Sequence, residues 1–328
     1  MATPHIAVLG SLNIDLVAYV PYHPAPGETM TASSFAVSPG GKGANQAVAC
    51  AKLSRSKPAP GSSSAAHGGD ETAHVTMAGA VGDDSYGALL RANLEKHGVD
   101  VSGVAVRAGR KTGLALIVVD QPSGENRIIL SPEANHSMEP GAFAELSAGA
   151  LGKSGLPDLL IMQLEIPVPT VLEALRAARR QGVKVLLNPA PAQALPDEVL
   201  DGLAHLVVNE TEAAMLGGVE VAVLDDLAGL ERVAAAFIGK GVRNVIITLG
   251  GRGVYYMSAD GRKGLVPAEK ATVVDTTAAG DTFVGMYALE VVGGKFEIES
   301  AVKKANKAAA KTVERVGAQD SIPWRDEI

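Results

Sequence analysis

The run DTTAAGD, Asp275 to Asp281, sets two carboxylates around five small residues and leads straight into the almost wholly apolar stretch TFVGMYALEVV. Gly280 lets the backbone approach another molecule closely. The apolar stretch reads as a helix whose first amides have no partner inside it and whose dipole is positive at that end. A helix start without bulky side chains is a seat for an anion. Asp281 stands where a base could face whatever approaches that anion. The alternative use of Asp281 is structural, since Asp is a favoured N-cap.

Other stretches carry compatible chemistry. GGKGAN, Gly40 to Asn45, lacks the Ser or Thr that follows Lys in a phosphate-binding P-loop. Its glycines still let backbone amides reach a ligand, Lys42 adds a point charge, and Asn45 offers both donors and an acceptor. The plainer alternative is a tight strand-to-helix turn. In GSLNID, Asn13 and Asp15 are two residues apart and face one way in extended chain. That suits neighbouring hydroxyls of a small polyol, or simply opens a turn. MQLE puts Glu165 at the carboxyl end of a strand, the edge where α/β proteins seat ligands. NPAPA and NETEA also follow strands, and Glu210 and Glu212 could equally cap the next helix. TLGGRGV, Thr248 to Val254, is a flexible loop able to embrace phosphates or a ribose, or an ordinary glycine turn. The seven histidines have no zinc spacing, and no G-x-S-x-G is present.

These residues need a scaffold. Short apolar runs (HIAVLG, VTMAGAVG, LLIMQL, VKVLLN, HLVVN, NVIITLG) alternate with helical patterns (GANQAVACAKL, YGALLRANLEKHG, VPTVLEALRAARRQG, LAGLERVAAAFIGKG). Apolar strands alternating with helices imply a parallel sheet covered on both faces, with right-handed crossovers. One α/β domain over 1–328 is expected. Two β-prone stretches without a helix, 15–40 and 111–131, are expected to pair as a small separate sheet, a lid or a dimer surface. The Ser/Pro/Gly-rich segment 54–73 reads as an inserted flexible surface loop.

Composition narrows the class. With 328 residues, a net charge of −7 and no basic stripe, the chain is not built for nucleic acid. Cys50 is the only cysteine and lies in the apolar run AVACAKL, so a buried structural thiol in a reducing compartment is expected. The first residues lack the charged start and apolar core of a signal peptide, and no stretch is long and apolar enough to span a membrane. A cytoplasmic protein is expected, with the nucleus as a second place. The sequons at Asn135 and Asn209 are taken as chance.

In order along the chain, GSLNID, GGKGANQA, GDDSYG, TGLAL, MQLE, NPAPA, NETEA, TLGGRGV, DTTAAGDTFVG and VGAQDSIPW resemble the ribokinase-like carbohydrate kinases, the PfkB family, over nearly the whole length. The resemblance implies a three-layer α/β/α sandwich with a mostly parallel, Rossmann-like sheet and a small β-sheet lid that often forms a homodimer contact. It implies an ATP:D-ribose 5-phosphotransferase, making D-ribose 5-phosphate and ADP. Asp281 is then the general base, and the amides of Ala278, Ala279, Gly280 and Asp281 form an anion hole for the moving phosphoryl group. Sugar contacts fall on Asn13, Asp15, Gly41, Lys42, Gly43, Asn45, Glu165 and Asp281. Nucleotide contacts fall on Asn209, Thr248, Leu249, Gly250, Gly251, Arg252, Gly253 and Gly280, with Asn306 beside the adenine where the family often has His. A monovalent cation, usually K+, is implied at Asp275, the carbonyl of Thr277, carbonyls near Thr312, Arg315 and Gly317, and Ser321. Mg2+ arrives with ATP, with Glu212 a contact through water. Asp320 stands where the family commonly has Pro; it either alters cation affinity or faces solvent. The alternatives are another sugar or nucleoside kinase, such as a deoxyribokinase or fructokinase, and a non-catalytic sugar or nucleotide sensor.

Overall fold

The computed structural model describes residues 3–59 and 70–328. Residues 60–69, the middle of the segment read as an inserted loop, lie outside the described residues. Its two ends are fastened. Arg55 reaches Glu71 and the Gly98 carbonyl, while Arg325 binds Asp70 and the carbonyls of Ser54 and Asp70.

The chain runs β1 (His5–Leu9), β2 (Asn13–Val20), β3 (Ser34–Gly40), α1 (Lys42–Leu53), β4 (His74–Gly82), α2 (Ser85–Lys96), β5 (Asp100–Arg107), β6 (Gly113–Asp120), β7 (Asn126–Ser131), α3 (Ala148–Leu151) and β8 (Leu159–Met162). It continues through α4 (Val168–Gln181), β9 (Lys184–Leu187), β10 (His205–Asn209), α5 (Glu210–Gly217), α6 (Leu227–Gly239), β11 (Asn244–Thr248), β12 (Val254–Ser258), β13 (Lys263–Val266), α7 (Ala279–Val292) and α8 (Ile298–Val313).

Among the described residues, nine strands form one sheet in the order β13-β12-β11-β10-β9-β8-β1-β4-β5. From β11 to β5 every pairing is parallel; β12 and β13 add an antiparallel edge. The alternation of β1 shows why both faces need helices. Ile6 and Val8 join one apolar cluster with α1, α7 and α8, whereas Ala7 and Leu9 join another with α4, α5 and α6. Helix α1 is buried from Gly43 to Leu53, wedged between sheet and α7. The crossing is close: a Cβ on Gly285 would stand 2.5 Å from the Ala49 methyl. Cys50 lies in this seam, fully buried, and burial pushes its thiol up to about 12, which suits packing and not nucleophilic chemistry.

A second sheet, β3-β2-β6-β7, stands apart from the first. Strand β2 pairs antiparallel with β3 and parallel with β6, which pairs antiparallel with β7. It leaves Phe35, Val37, Leu116, Ile128, Ile129 and Leu130 exposed. The edge strand β5 escapes a reading by apolar runs because its sequence DVSGVAVR mixes polar residues and a glycine into a half-exposed strand.

Candidate active site

The functional side chains converge beyond the carboxyl ends of the parallel strands, at the turns after β1, β8, β9, β10 and β11, where such sheets seat ligands. Helix α1 begins here. Gly41 is its N-cap with φ 88°, a left-handed conformation that favours glycine. Gly43 lies so tightly against the β1–β2 turn that an added Cβ would be 2.7 Å from the Ser11 amide. The Lys42 amide donates to Glu165 Oε2 at 3.0 Å, and the same oxygen accepts the Ser11 hydroxyl at 2.5 Å. Glu165 therefore caps α1 from the end of β8, across 123 residues of sequence.

Asn13 and Asp15 share the site-facing side of β2. Asn13 Oδ1 accepts from Asn135 Nδ2 at 2.8 Å, and Asn135 also exchanges hydrogen bonds with the Leu12 backbone. Asn135 is buried and structural, so its sequon is a coincidence of spelling. Burial, then the carboxylates of Glu165 and Asp281, push Asp15 up to about 7, with Lys42 pulling the other way. Burial also works against a charged Lys42, but the field of Asp281, Glu165, Glu212 and Asp15 outweighs it and holds the ammonium above its ordinary value.

Asp281 is not the N-cap of α7. That place is taken by Ala278, at φ 60°, and Asp281 lies in the first turn. Each of its oxygens is held by a neutral amide: Oδ2 by Asn45 Nδ2 at 3.0 Å and Oδ1 by Gln46 Nε2 at 2.9 Å. Gln46 is oriented in turn by Gln163 at 2.6 Å and also donates to Asn188. The amides of Ala278, Gly280 and Asp281 find no acceptor among the described residues, whereas that of Ala279 makes a 3.3 Å bond to the Thr276 carbonyl. Three of the four expected anion-hole donors thus remain open.

Two cavities meet at this helix tip. One, of about 210 Å3, is lined by Lys42, Asn188, Asn209, Glu212, Thr248, Ala278 and Asp281 among others. The second, of about 520 Å3, runs over Gly250, Gly251 and Gly253 to Lys270, Phe283 and Asn306. Both touch Thr248, Thr276 and Gly280. Glu212 closes a capping box with Asn209, accepting from its backbone and side-chain amides at 2.9 and 3.0 Å. Burial raises the Glu212 carboxyl above its ordinary value. Not every expected contact lines these two cavities: Asn13, Asp15, Gly41, Gly43, Asn45 and Glu165 line neither. Leu249 is buried, and Arg252 is turned to Glu210 and the carbonyls of Leu224 and Asp225. Asn306 lines the larger cavity and donates to the Pro267 carbonyl at 2.7 Å.

Beside the α7 tip, the segments around Asp275 and Gly317 are stitched together. Asp275 Oδ1 accepts from the amide and hydroxyl of Thr277, and Oδ2 accepts from the Gly317 amide at 2.9 Å. Partial burial opposes the charge on Asp275, but these donors hold its carboxyl below the ordinary value. Thr312 and Ser321 are buried close by in sequence to Gly317, and Asp320 is exposed to solvent.

The residues that sequence alone passes over are Ser11, Gln46, Asn135, Gln163, Asn188 and Gln319. All are neutral: Ser11 and Gln46 hold the carboxylates of Glu165 and Asp281, and the other four hold the neutral amides of Asn13, Gln46 and Asn45. Four of the amides sit inside motifs already singled out, GGKGANQA, MQLE, NPAPA and VGAQDS, and that adjacency is the signal that could have found them.

An open-tipped helix, an adjacent buried carboxylate and two abutting cavities define a phosphoryl-transfer type of site on an α/β sandwich. The family model for pfkB family carbohydrate kinases matches residues 3–325, and the chain belongs to that family. It is 43% identical to a ribokinase of Schizosaccharomyces pombe, covering 99% of this chain and 96% of that one. It is 35% identical to a deoxyribokinase of Salmonella typhi, covering 97% and 95%. Among solved structures, Arabidopsis thaliana ribokinase complexed with ribose and ATP matches with a TM-score of 0.84 at 29% identity, covering 99% and 97%.

Proposed function

We propose that the protein transfers the γ-phosphoryl group of ATP to the 5-hydroxyl of D-ribose, giving D-ribose 5-phosphate and ADP. The observation that carries this reading is the Asp281 carboxylate, 8% exposed and held by two amides at the open tip of α7 where the cavities meet. Asn13, Asp15, Asn45 and Glu165 with the α1 turn hold the sugar, and the glycine loop after β11 with Asn306 holds the nucleotide. As the sugar oxygen attacks phosphorus, Asp281 takes its proton and the bond to the bridging oxygen of ADP breaks. The free amides of Ala278, Gly280 and Asp281 face the charge on the moving group, where fixed donors act without reorganisation. Lys42 supplies a point charge in the same cavity.

Mg2+ would arrive on the phosphates of ATP, with Glu212, which lines the smaller cavity, as an outer contact; when bound it neutralises phosphate charge. The monovalent cation that the family resemblance implies, such as K+, would be held by Asp275, the Thr277 carbonyl, carbonyls near Thr312, Arg315 and Gly317, and Ser321; one carboxylate among neutral oxygens suits a single positive charge, and the bonds of Asp275 to Thr277 and Gly317 bring two of these segments together. Such a cation supplies positive charge beside the anion hole. The exposed apolar residues of the small sheet support a homodimer formed through it.

The 35% identical deoxyribokinase keeps a 2-deoxy sugar as the second reading. Turnover of ATP with ribose, deoxyribose, fructose and adenosine, each with and without K+, tests the set. Ribose as the preferred acceptor and faster turnover with K+ are expected. Preference for another acceptor overturns the substrate, binding without turnover favours a sensor, and an unchanged rate with K+ removes the cation assignment.

A further inference from the structure

Asp281 is served from two sides, and one of them reaches into the C-terminal segment. Asn93 Nδ2, on α2, donates to Gln319 Oε1 at 2.6 Å. Gln319 Nε2 donates to Asn45 Oδ1 at 3.0 Å, and Asn45 Nδ2 donates to Asp281 Oδ2 at 3.0 Å. Three amides therefore stand in line with every donor aimed toward the carboxylate. Gln319 is 4% exposed, and its backbone is pinned by Lys52 Nζ, which donates to its carbonyl at 3.1 Å. It lines neither cavity.

The direction of the line matters. Turning Gln319 or Asn45 over would set oxygen against oxygen at one junction and amino group against amino group at the other, and an unmade buried hydrogen bond costs about 1–3 kcal/mol. Each amide is thus oriented by the one behind it, and aligned amides polarise one another. An Asn45 held this way keeps one amino hydrogen on Asp281 and leaves the other for a hydroxyl in the site.

The geometry points to Gln319 as a positioning residue for the phosphoryl-transfer reaction, orienting Asn45 and through it the Asp281 carboxylate. This rests on the reading of Asp281 as the base. The C-terminal segment is thereby tied to Asp281 through Gln319 and Asn45, and to Asp275 through the Gly317 amide two residues earlier.

Gln319→Glu is nearly isosteric but offers Asn45 an acceptor where it had a donor. Asn45 then has a carboxylate on both sides and only one amino group to give. Its kcat should fall on the order of tenfold to a hundredfold, with the KM for ATP unchanged. Gln319→Met removes the bonds without reversing them; a smaller loss of kcat, again with the KM for ATP unchanged, is expected. Equal losses in both variants, a loss carried by the KM for ATP and not by kcat, or a Gln319→Glu kcat within about twofold of the parent, a change that a 10- to 100-fold effect would exceed, overturn the proposal. Should Gln319→Glu fail to fold, Asn93→Asp applies the same reversal one link further out and is read in the same way. Asp281→Asn in parallel separates the two ideas. If it keeps its turnover, the base assignment fails; if it loses turnover while Gln319→Glu does not, only the positioning role fails.

Discussion

The two sides of the α7 tip are built by opposite means. On the side proposed to hold the sugar, Asn13, Asn45 and Asp281 are each under a tenth exposed, and their polar atoms are joined to Asn135, Gln319 and Gln46. On the side proposed to hold the nucleotide, an added Cβ at Gly250 or Gly251 would meet nothing within 4 Å, and Val273 and Val274 are 64% and 55% exposed. The first half is fixed by packing before any ligand arrives. The second is an open trough lined by glycine backbone and exposed side chains. A base must be held to a fraction of an ångström for proton transfer, whereas a nucleotide can be gripped by backbone and by its own phosphates. The division follows what each half has to do.

The sharpest test of that division is at the junction. Asp281→Ala should lower turnover about 10^3-fold, the scale of a lost general base, while sugar and nucleotide still bind by calorimetry. Turnover within tenfold of the parent would move the chemistry elsewhere, since loss of a base costs at least about 10^2.

A paired glycine experiment separates the halves themselves. Gly43→Ala pushes a methyl into the Gly10–Ser11 backbone at 2.7 Å. It should destabilise the protein by about 1–3 kcal/mol and weaken sugar binding, read by denaturant unfolding and calorimetry. Gly251→Ala meets no neighbour; stability should stay within about 0.5 kcal/mol, with a modest rise in the KM for ATP. If the nucleotide-side change proves the more destabilising, the contrast between built and open halves collapses.

How much of this was legible in sequence divides along a similar line. The parallel sheet was readable because strands buried on both faces must be continuously apolar, as in LLIM and VLL. Asp281, Lys42 and Glu165 were readable because a charge or a glycine cluster near a strand end is conspicuous. The two edge strands, β13 and the half-exposed β5, were not, because an edge strand needs no continuous apolar run. Nor was the role of Gln46, Gln163 or Gln319. A neutral amide has no local preference that betrays its work, and its value lies in partners 117 and 274 residues away. Asn135 makes the point most plainly: a local pattern suggests a surface sugar, while the fold buries it as the clamp on Asn13.

Asp15 gives the smallest expected effect and the finest probe of the pre-built half. Its carboxyl rises from an ordinary 3.8 to about 7 in the folded protein, through burial first and then Glu165 and Asp281. The folded state therefore keeps a proton that the unfolded chain releases, so this group's contribution makes unfolding easier as pH rises from about 4 to about 7 and levels off above that. Sugar hydroxyls donating to Asp15 require the ionised form. Ribose affinity should accordingly weaken as pH falls below about 7, by at most about tenfold per unit, and be flat above it. Binding should also release protons at neutral pH, which calorimetry in buffers of different ionisation enthalpy measures. Asp15→Asn should bind more weakly, with that pH dependence removed. A parent protein whose ribose affinity does not change through neutrality would mean that Asp15 is already charged before the sugar arrives, or never meets it. Either result would show the sugar side to be less tightly desolvated than its packing implies.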